Sequence, residues 1–238
     1  MPKFVRDHTG HFKTTKPLIM YTVSEENYIK SIYHLQQHAR NVTTNELADR
    51  LNTKPASVTD MLKKLQAKKL LDYEKYYGVK LTPEGKKLAL DVIRRHRLWE
   101  NFLVNHLKFG WDEVHEIAEQ LEHVQSVSLT DKLDAFMDFP RFDPHGDPIP
   151  DSKGKMEILH QVNLMQLPVG QLAEISAVGS QHSELLEMLR LKNLQIGSTV
   201  KVMQRYSFDQ SVEVEINKQP SQSLSGQLAK QLFVKVKG

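Results

Sequence analysis

His115, Glu119, Glu122 and His123 impose the tightest constraint on how this chain can fold. At about 100° per residue, their side chains fall within roughly a 100° arc of one helix. Val114, Ile117, Ala118, Leu121 and Val124 collect on the opposite arc. The stretch therefore reads as an amphipathic helix, with one face on a core and two imidazoles and two carboxylates on the other. Such nitrogen and oxygen donors suit a divalent first-row metal ion. His96 and Glu100 add a second pair, one helical turn apart and flanked by Ile93, Leu98, Trp99 and Leu103. Polar groups set among apolar ones need partners when buried, and a metal site shared between the two helices supplies them. One such residue alone is more often a hydrogen-bonded core side chain or a solvated charge. Six donors converging from consecutive helices outweigh that reading.

Composition narrows the chemistry. The chain has no cysteine, which removes disulfides, thiolate metal sites and iron–sulfur clusters. No apolar run approaches the length of a membrane span and the start lacks a signal-peptide core, so a cytoplasmic protein without a membrane partner is expected. Charge is segregated: residues 21–95 carry 14 Lys+Arg against 9 Asp+Glu, and residues 96–160 carry 6 against 13 with six of the eleven histidines. A basic segment followed by an acidic, His-rich one predicts a polyanion partner for the first and a cation for the second. His115-Glu116-Ile117-Ala118-Glu119 begins like the H-E-x-x-H helix of zinc hydrolases. The second His of that pattern is Glu119 here, however, and Glu116 points off the donor arc. A metallohydrolase is therefore the weaker alternative, and the chain is expected not to be an enzyme.

Residues 1–20 show no helical or strand period and read as an arm. Helical patterning begins at Ser24, taken as the N-cap. A short helix opens at Thr43-Thr44, and a third runs from about Pro55 to Lys68 with Pro55 in its first turn. Leu70–Lys75 and Val79–Leu81 read as a β-hairpin. Thr82-Pro83-Glu84 starts a long helix reaching about Leu107, the donor-bearing helix follows from Trp111, and a short one covers Leu129–Met137. Six Pro and Gly residues punctuate 139–155 as a linker or irregular loop. Gly170–Val178, Thr199–Ser207, Ser211–Ile216 and Leu232–Val236 alternate like strands, with a helix at Leu185–Leu191 and a loop over 217–227.

Three helices with a tight turn before the third, then a hairpin, are the order of a winged helix-turn-helix. The third helix is the expected reader, presenting Lys54, Ser57, Thr59, Asp60, Lys63 and Lys64. The hairpin carries Lys75, Tyr77 and Lys80 as a backbone-contacting wing. Lysines neutralise phosphate, while small hydroxyls allow close approach to base edges in the major groove.

These residues carry a family likeness. Glu26-Asn27-Tyr28-Ile29-Lys30-Ser31-Ile32-Tyr33, Ser57-Val58-Thr59, Leu81-Thr82-Pro83-Glu84-Gly85, Arg95-His96-Arg97-Leu98-Trp99-Glu100, Glu119-Gln120-Leu121-Glu122-His123 and Asp147-Pro148-Ile149-Pro150 resemble, in order and spacing, the diphtheria toxin repressor family of metal-dependent regulators. The tail from Gln166-Leu167-Pro168-Val169-Gly170-Gln171 is similar to the SH3-like domain of longer members and of small ferrous-transport proteins. The resemblance implies a mainly α N-terminal two-thirds, made of a winged helix-turn-helix and a helical dimerisation and metal-binding domain, followed by a small SH3-like β-barrel. The divisions expected are an arm (1–20), the DNA-binding domain (21–82), the metal-binding and dimerisation domain (83–138), a linker (139–160) and the SH3-like domain (161–238). It further implies a homodimer on a palindromic double-stranded DNA operator, repressing metal-uptake genes. The primary metal site would use Glu119, Glu122 and His123 with Asn27. A second would use His96, Glu100 and His115, with His182 and Glu184 as candidate donors from the SH3-like domain. Iron-sensing members place sulfur at the positions of Asn27 and Glu119. Their replacement by harder donors points to Mn²⁺, with Fe²⁺ the alternative. Manganese-sensing members carry two acids on the first helix, where this chain has Asn27 and Lys30.

Overall fold

Thr22, rather than Ser24, starts the first helix of the computed structural model, which describes residues 4–6, 12–14, 20–37, 41–74 and 77–236. Its hydroxyl accepts from the Glu25 amide at 3.3 Å, and the Glu25 carboxylate accepts from the Thr22 amide at 3.0 Å. This reciprocal box satisfies two amides that a helix start leaves without partners. Ahead of it, Phe4–Arg6 (β1) pairs antiparallel with Phe12–Thr14 (β2), although the arm shows no strand period. The other residues of 1–19 lie outside the described residues.

The chain divides into two units, Met1–Ala89 and Leu90–Gly238. In the first, α1 (Val23–Gln36), α2 (Thr44–Arg50) and α3 (Pro55–Ala67) precede the hairpin of β3 (Leu71–Glu74) and β4 (Gly78–Leu81). Thr43 and Glu46 cap α2 as Thr22 and Glu25 cap α1. Ile29, Ile32, Leu47, Val58, Leu62, Leu65, Leu71 and Val79 are fully or almost fully buried and form its core. Val42 bridges Val79 of the hairpin. Gly78, at φ +98°, lies so close that a Cβ would sit 2.8 Å from the Val42 carbonyl oxygen, which only glycine tolerates.

α4 (Pro83–Asn105) opens with Pro at its first position and runs into the second unit. There α5 (Val114–Leu121) and α6 (Val127–Phe136) follow. α5 is shorter than its periodicity predicts: it begins three residues after Trp111 and ends at Leu121, leaving Glu122 as its C-cap and His123 in the turn beyond. Leu98, Leu133 and Ile149 form a small core with Trp99, Phe102 and Met137. The Pro-rich segment is an irregular loop folded into this unit, with Asp143, His145, Ile149 and Pro150 buried.

The tail forms a six-stranded antiparallel sheet of SH3-like type. Its strands are β5 (Val162–Asn163), β6 (Leu172–Val178), β7 (Thr199–Arg205), β8 (Val212–Ile216), β9 (Gln222–Leu224) and β10 (Leu232–Val236), in the order β5-β10-β6-β7-β8-β9. β9 and α8 (Gly226–Ala229) occupy the stretch predicted as loop, being too short for periodicity to reveal. Ala173, Ile175, Val200, Val202, Val212, Val214 and Val234 alternate inward and pack on Leu186 and Leu189 of α7 (Ser183–Leu191). Among the described residues no helix is long and apolar enough to cross a membrane.

Candidate metal centre and reading helix

α4 supplies His96 and Glu100 from adjacent turns of one face, and both are buried. His96 joins the two expected metal sites. Its Nδ1 lies 2.7 Å from Glu122 Oε2 and its Nε2 lies 3.0 Å from Glu100 Oε1. The ring thus stands between two carboxylates, an arrangement that a positive charge on the ring, or on an ion that replaces its proton, would satisfy. His115 of α5 places Nδ1 3.3 Å from Glu100 Oε1 and Nε2 3.7 Å from Glu119 Oε1. His123 Nε2 lies 3.6 Å from Glu122 Oε1. The α5 terminus is held by Arg95, whose Nε donates to the Glu122 carbonyl at 2.5 Å and places a guanidinium at the negative end of the helix.

Two residues absent from the sequence-predicted set complete the cluster. His145 is fully buried, its Nδ1 3.6 Å from Glu100 Oε2. Its Nε2 donates to the Trp111 carbonyl at 2.8 Å, and its ring stacks on Trp111 at 5.8 Å between centroids. The buried Asp143 carboxylate completes a grouping in which Glu100, Asp143 and His145 each offer an atom within 4.8 Å of the others. The same spacing groups His96, Glu100 and His115, and also His96, Glu119 and Glu122. The one sequence signal for the new pair is Asp-Pro-His-Gly, an alternation of donors inside a Pro-rich run. Nothing local ties that run to α4.

The electrostatics fit a cation. Burial works to raise the Glu100 carboxyl, but the charge of His96, hydrogen bonds from His115 and His96, and the nearby His145 ring hold it well below the ordinary range. Burial, joined by the charges of Glu100 and Asp147, pushes Asp143 up to about 7 against the opposing charges of Arg97 and His145. Burial would lower His145, yet Glu100, with Asp143 and the Trp111 carbonyl, raises it to about 9. Glu100 Oε2 faces His145 Nδ1, and Asp143 Oδ2 faces Arg97 Nε, each at 3.6 Å, so these buried atoms have ionic neighbours but no hydrogen bond. Buried charges held only by such long ion pairs are costly, and a shared divalent ion is a compensation that the donor types allow.

The other expected donors are placed elsewhere or apart. Asn27 belongs to the first unit, where its Oδ1 is buried without a hydrogen-bond partner. His182 and Glu184, at the start of α7, are exposed and line a separate cavity of 340 Å³ with Ser180, Met188, Ser225 and Gln231. Glu116, the base that a hydrolase would need, is exposed.

Lys54, the N-cap of α3, is exposed, as are Ser57, Asp60, Lys63 and Lys64, which point away from the buried Val58, Leu62 and Leu65, while Thr59 is half-buried at the edge. Thr59 donates its hydroxyl back to the Pro55 carbonyl at 3.0 Å, which leaves its methyl outward. Lys64 is engaged at home, its Nζ 3.1 Å from Glu25 Oε1. Tyr77 and Lys80 of the hairpin are exposed, and Lys75 lies outside the described residues.

A winged helix-turn-helix, a helical His/carboxylate cluster and an SH3-like sheet define the class of metal-dependent transcription regulators. Three family models match in that order: the iron-dependent repressor N-terminal DNA-binding domain over residues 20–79, the iron-dependent repressor metal-binding and dimerisation domain over 82–151, and the FeoA domain over 162–236. The HTH-type transcriptional regulator MntR of Bacillus pumilus is 37% identical over 122 residues, covering 50% of this chain and 83% of the relative. The iron-dependent repressor IdeR of Mycobacterium tuberculosis is 30% identical over 180 residues, 76% of this chain and 70% of the relative. A solved manganese-dependent transcriptional repressor in complex with manganese superposes with a TM-score of 0.79 at 31% identity, covering 90% of this chain and 100% of that one. The chain belongs to the iron-dependent repressor family, in its long form with a C-terminal FeoA-type domain.

Proposed function

We propose that this protein is a manganese-responsive repressor of metal-uptake genes that binds a palindromic operator as a homodimer in the cytoplasm, and is not an enzyme. The observation that carries the reading is the buried convergence of Glu100, Asp143 and His145, with His96 linking Glu100 to Glu122. We assign Glu119, Glu122 and His123 to one site and His96, Glu100 and His115 to a second that Asp143 and His145 extend, with His96 within reach of both. Asn27 is kept as a donor candidate on the family resemblance alone. A divalent ion bound there supplies positive charge to carboxylates that otherwise depend on protonated imidazoles. All these donors are oxygen or nitrogen, which favours Mn²⁺, with Fe²⁺ the alternative of the same class. α3 reads the major groove through Ser57, Thr59 and Asp60. Lys54, Lys63 and Lys64, with Lys75, Tyr77 and Lys80 of the wing, meet the backbone. If the DNA-competent dimer holds manganese tenfold more tightly, each site shifts the balance by about 1.4 kcal/mol, and two subunits double that.

The test is selection of genomic fragments on purified protein with Mn²⁺, with anaerobic Fe²⁺ and with chelator. Enrichment of a palindromic site beside a metal-transport gene only when metal is present supports the reading and ranks the ions. Equal enrichment with chelator overturns the metal gating.

A further inference from the structure

One turn of the Pro-rich loop connects the SH3-like sheet to the metal centre. Asp143 Oδ1 accepts from the amides of His145 at 2.8 Å and Asp147 at 3.0 Å. The Gly146 amide donates to the Asp143 carbonyl at 3.1 Å, and the Asp143 amide to the Asp147 carbonyl at 3.0 Å. The turn so closed is seated on β6. Val178 N–H donates to the His145 carbonyl at 3.1 Å, and Gln181 Nε2 donates to Asp147 Oδ2 at 3.1 Å. Gly146, at φ +89°, lies flush with the strand: a Cβ there would be 2.0 Å from the Ser176 carbonyl oxygen and 2.7 Å from Ala177 Cα.

The opposite side of His145 is held as firmly. Trp111 stacks on the ring and accepts from its Nε2–H through the backbone carbonyl, so Nδ1 faces Glu100. Trp111 itself packs on the core of the SH3-like domain, and Asp112 beside it pairs with Arg190 of α7 at 3.3 Å. His182 and Glu184 of that domain are exposed around a different cavity.

We infer that the SH3-like domain serves the metal centre as a template and not as a ligand donor: Gly146, the Val178 amide and Trp111 are positioning groups that hold His145 against Glu100. A donor carried on a loop loses affinity to the cost of ordering that loop, and a rigid strand behind it removes the cost in advance. The inference rests on the reading that Glu100, Asp143 and His145 hold a divalent cation.

Two glycines provide a matched test in the full chain. Gly197 has φ +87° with nothing within 4 Å of its Cβ position, whereas Gly146 has a similar φ, +89°, and a strand in the way. Alanine at either site meets the same left-handed strain, but only Gly146→Ala lifts the turn from β6. Manganese binding is measured by equilibrium dialysis, alongside thermal unfolding in chelator. Gly146→Ala is expected to weaken one class of site by about tenfold or more while sparing the other. Gly197→Ala, and the surface double variant His182→Ala with Glu184→Ala, are expected to bind like the parent. A Gly146→Ala protein with parental affinity and stoichiometry overturns the inference. So does loss of a site in the His182/Glu184 variant, which carries little folding risk and decides the matter if Gly146→Ala does not fold. A parent chain that takes up no manganese overturns the underlying metal reading as well.

Discussion

Replacing Glu25 by Gln tests what seats the reading helix. Glu25 is fully buried in the first turn of α1, and its Oε1 lies 2.7 Å from Lys68 Nζ and 3.1 Å from Lys64 Nζ. It thus ties α1 to the end of α3. Burial works to raise its carboxyl, but hydrogen bonds from Lys68, Thr22 and Lys64 and the charge of Lys68 hold it at about 2, against an ordinary 4.5. That difference corresponds to about 3 kcal/mol at most. Gln keeps an oxygen for the Thr22 amide, so the cap survives the change. The Lys64 and Lys68 side chains are 52% and 35% exposed, where solvent screens the attraction. The ion pairs alone then contribute about 1–2 kcal/mol at neutral pH and low salt. A depressed carboxyl gives stability that is full above its unfolded pKa of 4.5 and is lost as pH falls through about 2. The parent and Glu25→Gln should therefore differ at neutral pH, converge between those limits, and also converge in about 1 M salt. The assay is urea unfolding of the full chain with hydrogen exchange followed on α1 and α3, because the two units need not unfold together. A stability gap that is unchanged near pH 2, or absent at pH 7, refutes the ion-pair account.

Three further outcomes are expected. Because His145 is raised to about 9, its stabilising proton is fully in place below its ordinary 6.5 and is lost as pH rises through 9. In chelator the second unit should accordingly lose stability between pH 6.5 and 8.5, as His145 and the raised Asp143 both give up protons there, with manganese restoring more at the higher pH. Flat thermal unfolding across that range would count against the assignment. Glu122→Ala or His123→Ala should abolish metal-dependent operator binding in gel-shift titrations while circular dichroism and sedimentation still report a folded dimer; tight binding at unchanged manganese would contradict the site. Ser57→Glu should do the reverse, weakening operator binding by about 1–3 kcal/mol with manganese affinity unchanged in dialysis. Parallel loss of both would mean that the change had disturbed the fold.

Asp143 and His145, absent from the sequence-predicted donors, belong to a loop, and loops are where local sequence logic has least reach. Prolines and glycines marked 139–155 as irregular, which is correct, but irregular does not mean peripheral. Asp143 closes the turn with its side chain, Gly146 gives up a side chain to meet β6, and His145 is thereby driven into the interior. The same limit explains His182 and Glu184. Their residue types suited a metal, and the start of α7 leaves both exposed, lining a cavity with Ser225 and Gln231.

What the sequence determined by itself was whatever depends on neighbours a few residues apart. Pro55 and Pro83 mark the starts of α3 and α4, Thr43 with Glu46 caps α2, and i, i+4 spacing gathers His96 with Glu100 and His115 with Glu119. Helical periodicity also turns Ser57 and Lys63 outward from α3. The tertiary structure decided the rest. Only packing brings His96 of α4 against Glu122 at the end of α5, ends that helix early under Arg95, and lays a loop on β6 so that His145 meets Glu100. Backbone geometry has a period of a few residues, whereas these contacts span 26 or more positions and exist only because buried charges must find partners across the core.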